Sequence, residues 1–122
     1  MDHRQNLRLI AAGRIAIGIA MLLTPRRTAG GWLGDGTMSG RVSLLARAFG
    51  AREVAIGAGT LRALSSGEPA RPWVIAGIVS DGLDAVASLA AAPQIGFGRA
   101  LVNGAVASSA TAAGIAALEH VD

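Results

Sequence analysis

The chain has 122 residues, 52% of them hydrophobic and 16% charged, with 17 Gly, 3% aromatics and no Cys. This balance fits one cooperative unit on the apolar side of soluble composition, and the missing thiols exclude a disulfide scaffold, a thiolate metal site and thiol catalysis. The basic residues are all Arg and give a formal net charge of only +3; they are dispersed without stacking aromatics, so nucleic acid is not an expected partner.

The first apolar segment predicts a helix over 7–24, stopped at Pro25-Arg26-Arg27, because proline cannot continue a helix and the two charges favour an interface. Arg4 and Arg8 precede it as in a signal peptide, but Arg14 interrupts the apolar run and no small-x-small cleavage site follows. A retained helix is expected. Residues 25–40 are rich in Gly and turn formers and read as a loop with at most one interfacial turn, with Trp32 at headgroup level.

A second helix is predicted over 40–63, starting near Ser39 or Arg41 and ending before Ser65-Ser66-Gly67; Pro69 and Pro72 separate it from the next. The third, over 72–92, opens on Pro72-Trp73 and closes at Pro93, and the fourth, over 98–118, has no charge from Ala100 to Leu118. At about 1.5 Å per residue each can cross a hydrocarbon core of about 30 Å. The chain therefore reads as all-α, a four-transmembrane-helix bundle in a single domain over 1–122, with both termini on one side. Arg4, Arg8, Arg62 and Arg71 on that side balance Arg26, Arg27, Arg41 and Arg99 on the other, so the positive-inside rule leaves orientation open.

On the third segment Gly77, Asp81, Asp84 and Ser88 form one stripe at helical spacing. Two carboxylates facing lipid would cost several kcal/mol, so the stripe is expected to face protein or a watered cavity. The second segment sets Arg47, Gly50, Glu53 and Gly57 on one broad face and Arg52 on nearly the opposite one, which implies neighbours on both sides. The first contributes Arg14 above Gly18; the fourth offers Asn103, Ala107, Ala110 and Gly114, a flat stripe for close backbone approach. Arg14, Arg47 and Arg52 against Glu53, Asp81 and Asp84 make a neutral core, with Arg–carboxylate pairs expected between the second and third helices. These residues, with Asn103, are the candidate ligand-binding or proton-path residues: a carboxylate left without an arginine, Asp81 or Asp84, is the proton-carrier candidate, and the arginines suit a lipid phosphate or another small anionic ligand.

His3 and His120 lie in terminal segments without a ligand set, so no metal is expected. Ser108, Ser109 and Thr111 have no adjacent His or Lys base, and no nucleotide-binding glycine pattern is present; no cofactor is implied. The first two helices align in register, Arg8 with Arg47, Gly13 with Arg52, Arg14 with Glu53 and Gly18 with Gly57, as an old duplication would leave them.

The run 25–29, the R-x-x-G-x-R-[DE]-x-x-x-G pattern carried by Arg47, Gly50, Arg52, Glu53 and Gly57, and Asp81 with Asp84 resemble an uncharacterised family of small four-helix membrane proteins, a domain of unknown function. More distantly, the layout is similar to DoxX-like membrane proteins, some of them associated with oxidoreductase systems. The resemblance implies fold and membrane location but no activity. The leading expectation is a non-catalytic membrane protein whose Arg/Glu/Asp core organises the bundle and takes an anionic or lipidic ligand. Its rivals are a proton-coupled transporter working as a homodimer, similar to small multidrug resistance proteins but with Arg14 where those carry a helix 1 acid, and a membrane enzyme or redox partner using Asp81, Asp84 and Glu53 on a lipid or quinone. A soluble helical protein is the alternative to all three, opposed by the uncharged fourth helix.

Overall fold

The computed structural model describes residues 2–33 and 40–122, and the regular secondary structure among them is entirely helical. In chain order the helices are α1 (His3–Leu23), α2 (Pro25–Leu33), α3 (Gly40–Ser66), α4 (Arg71–Ala90), α5 (Ala92–Ile95) and α6 (Phe97–Leu118). The Asp2 carboxylate caps α1 by accepting from the Gln5 backbone N–H at 2.8 Å. At the end of α3, Gly67 takes φ +74°, a left-handed conformation that favours glycine, and Pro72 then sits in the first turn of α4.

Two expectations about connections are corrected. The stretch after Pro25 is a helix as far as Leu33, not a loop; residues 34–39, which include the expected start at Ser39, lie outside the described residues. Pro25 opens α2, where its missing N–H costs nothing and its φ is already helical. The Thr24 carbonyl accepts from the Thr28 N–H at 3.0 Å, so the same proline that ends one helix begins the next. Pro93 does not close the third long helix either: α4 stops at Ala90, and Pro93 occupies the first turn of the separate short α5, turned into α6 by Gly96 at φ +92°.

The long helices form two antiparallel hairpins, α1 with α3 and α4 with α6. In the first, a Cβ on Gly18 would lie 2.5 Å from the Gly50 carbonyl oxygen, one on Gly50 2.6 Å from that of Gly18, and one on Gly57 2.6 Å from that of Ala11. Backbones this close exclude any side chain, so these glycines set the α1–α3 separation. The hairpins meet less intimately, along α3 and α4, where the Trp73 indole lies flat over Gly59. One apolar cluster (Leu7, Ala63, Leu64, Ala70, Val74) closes the end near the termini. Another (Met21, Ala29, Ala46, with Phe49) closes the α1–α2–α3 corner at the opposite end.

Polarity across this framework is inverted. Glu53 and Asp81 are 5% and 7% exposed, whereas Leu44, Val86 and Phe97 are 68%, 67% and 72% exposed. Three helices, α1, α4 and α6, are long and apolar enough to cross a membrane. The longer α3 carries Arg41, Arg47, Arg52, Glu53 and Arg62 and does not join that set.

Candidate functional site

Midway between the two apolar clusters, five ionic side chains from three helices form an unbroken alternation of charge: Asp81, Arg14, Glu53, Arg52, Asp84. Arg14 donates through Nη1 to Glu53 Oε2 at 2.7 Å and through Nη2 to Asp81 Oδ2. Arg52 grips Asp84 with both ends of its fork, at 3.1 and 2.6 Å, and donates to Glu53 Oε1 at 3.2 Å. Glu53 is therefore shared, one carboxylate oxygen to each guanidinium. Planar, permanently charged groups suit this bridging better than an ammonium would.

Sequence spacing explains how each side chain arrives. Glu53 follows Arg52 directly, so the two leave α3 in different directions; Glu53 turns to α1 and Arg52 to α4. Gly77 lies one helical turn before Asp81 on the same stripe, and a Cβ there would stand 2.9 Å from Arg14 Nη2. The missing side chain makes room for the guanidinium to reach Asp81. Arg52 also lies over the Phe49 ring, 4.5 Å from its centroid, an attraction between cation and ring face. Its Nε and the Ser80 Oγ are buried without a hydrogen-bond partner.

The structure brings Arg14, Arg52, Glu53, Asp81 and Asp84 together, and it separates Arg47 and Asn103 from them. Arg47 is exposed; its Nε donates to the Leu22 carbonyl at 3.3 Å, near the far end of α1. It shares a broad helical face with Glu53, but it lies nearly two turns nearer the start of α3, which is enough to bring it to the end of the bundle. The expected neutral core of three cations and three anions is thereby corrected to two guanidiniums and three carboxylates, one negative charge in excess. Asn103 is buried, but its Nδ2 donates to the Trp32 carbonyl at 3.1 Å and clamps α2 to α6. The expectation that pairs join the second and third helices holds for Arg52 with Asp84; it omitted α1, whose Arg14 binds both of the others.

Both arginines inside the bundle are paired with carboxylates through both terminal nitrogens, so the expected anion would have to displace Glu53, Asp81 or Asp84. A second arginine group, Arg26, Arg27 and Arg47, instead lines an open groove of about 640 Å³ at the end of α1. Sequence reading placed Arg26 and Arg27 at an interface but did not connect them to Arg47; only the antiparallel return of α3 does so. A smaller depression of about 390 Å³ lies between α2 and α6, beside Trp32, Arg99 and Asn103. Neither is lined by a member of the five-residue network. Among the described residues no group of His, Asp or Glu has the arrangement to hold a metal ion. Comparison with known protein families, characterised proteins and solved structures yields no match to this chain.

Proposed function

We propose that this chain is a small multi-pass membrane protein in which all four long helices cross the bilayer and the Asp81–Arg14–Glu53–Arg52–Asp84 chain holds the two hairpins in one register. The carrying observation is the inverted polarity: carboxylates lie inside while large apolar side chains on every long helix face outward. In water that arrangement would leave an apolar surface far beyond what a monomer sustains, and in lipid it is the favourable one. The charges of α3 do not oppose a crossing. It runs antiparallel to α1, from Gly50 against Gly18 to Leu64, whose carbonyl accepts from Arg4, so a membrane that contains α1 contains α3 as well. Arg52 and Glu53 then face neighbouring helices rather than lipid.

Membrane fractionation tests it. The chain is expected in the membrane pellet after an alkaline wash and in solution only with detergent. A monodisperse preparation in plain buffer would defeat the proposal.

The expected arginine-free carboxylate is not found, since Arg14 holds Asp81 and Arg52 holds Asp84. A second reading, a proton-coupled carrier working as a homodimer, draws instead on the one formal negative charge in excess and on the partial exposure of the Arg52–Asp84 pair. Its mark would be proton-dependent flux in proteoliposomes that disappears in Asp84→Asn. Structural registry alone produces no flux in either protein.

A further inference from the structure

We infer that the groove where α1 ends, α2 begins and α3 returns binds the phosphate of an anionic membrane lipid, an inference that rests on the membrane reading above. Arg26, Arg27 and Arg47 line it together with Ser43, and Leu23 and Leu44 form its apolar margin. Among the described residues none of the three arginines has a carboxylate within ion-pair distance, in contrast to Arg14 and Arg52. The bond from Arg47 Nε to the Leu22 carbonyl fixes its guanidinium at the groove while leaving both terminal nitrogens to donate elsewhere. The Ser43 Oγ is buried without a partner in the same wall.

Charge is distributed to match. Among the described residues, Arg41 and Arg99 lie at this same end of the bundle, whereas at the other end Arg4, Arg8, Arg62 and Arg71 are interleaved with Asp2, Glu68, Glu119 and Asp122. Guanidiniums hold phosphate oxygens in forked pairs, and a basic cluster at a membrane surface attracts anionic headgroups. Leu23 and Leu44, 75% and 68% exposed, put the groove at the edge of the apolar belt, where a headgroup sits over its acyl chains. A zwitterionic lipid brings its own cation against the arginines and matches the groove less well.

The test is native mass spectrometry of the detergent-purified full chain with added phosphatidylglycerol, phosphatidylcholine or glycerol 3-phosphate. The wild-type chain is compared with Arg26→Gln, Arg47→Gln and the triple Arg26→Gln/Arg27→Gln/Arg47→Gln variant. Phosphatidylglycerol is expected to be retained over phosphatidylcholine by on the order of tenfold or more. Each single variant is expected to reduce that preference, the triple variant to abolish it, and glycerol 3-phosphate to leave it unchanged. Equal retention of the two lipids by the wild-type chain overturns the proposal, whatever the stability of the variants. So does a triple variant of unchanged melting temperature that keeps the preference. Displacement by glycerol 3-phosphate would make a soluble phosphate the occupant and overturn the lipid assignment. Failure of the membrane reading looks different: the chain would then be absent from the membrane fraction.

Discussion

Glu53 holds a position in the ion chain that no conservative replacement reproduces, because each of its oxygens serves a different guanidinium. Glu53→Gln keeps the volume but leaves Arg14 and Arg52 sharing fewer anions, and the amide turns a donor toward one of them. Loss of roughly 3 kcal/mol is expected, the scale for breaking a buried pair from one side. Asp84→Asn is expected to cost under about 1 kcal/mol, since it leaves two carboxylates for two arginines at the more exposed end of the chain. Thermal unfolding in detergent ranks the two; a melting temperature lowered equally by both would refute the shared-carboxylate account. The participants were legible as ionisable residues inside apolar helices, and Asp81 with Asp84 as one stripe. The sharing was not, because it depends on which way adjacent residues such as Arg52 and Glu53 diverge once α3 has neighbours on two sides.

Among the helices, the α1–α3 hairpin is set by glycine rather than by large apolar side chains. Gly18 and Gly57, equivalent positions in the register alignment of the first two long helices, each press against the partner's backbone, and the Arg14–Glu53 pair lies between those two contacts. Gly18→Ala is expected to destabilise the bundle by about 1–3 kcal/mol, because its Cβ would meet backbone that cannot yield. Gly13→Ala, on the same helix with nothing within 4 Å, is expected to be neutral or stabilising by up to about 1 kcal/mol. Denaturation of the two variants in matched micelles checks the contrast, and equal effects would show that α1 does not pack on α3 in this register. Helix-forming segments and their approximate ends followed from apolar runs and proline. The helical character of α2 did not, because a Gly-rich sequence is helical there only with Pro25 at its first position, Thr24 before it and α6 to lean against through Asn103.

For the whole molecule, the up-down-up-down course of the long helices puts both termini at one end, where the His3 and His120 rings stack 3.4 Å apart. The chain contains no Cys, so single cysteines report sidedness without background. Asp2→Cys and Glu119→Cys are expected to react with a membrane-impermeant maleimide from the same side, and Gly98→Cys from the opposite side. Labelling of Asp2→Cys and Glu119→Cys from different sides would rule out an even number of crossings.

What the sequence determined by itself is composition and periodicity: a helical chain of long apolar segments, with acids and arginines placed where lipid would not tolerate them unpartnered; the structure leaves three of its helices apolar enough to cross a membrane. These are local properties, set by each segment's own residues. Tertiary structure alone decided which charges meet. Pairing requires the antiparallel return of α3 along α1 and of α6 along α4, and the rotation of α3 about its axis, with the height of each residue along it, separates a half-buried Arg52 from an exposed Arg47 on the same helix. That rotation is fixed by where Gly18, Gly50 and Gly57 let two backbones touch, a condition that belongs to the pair of helices and to neither sequence segment alone.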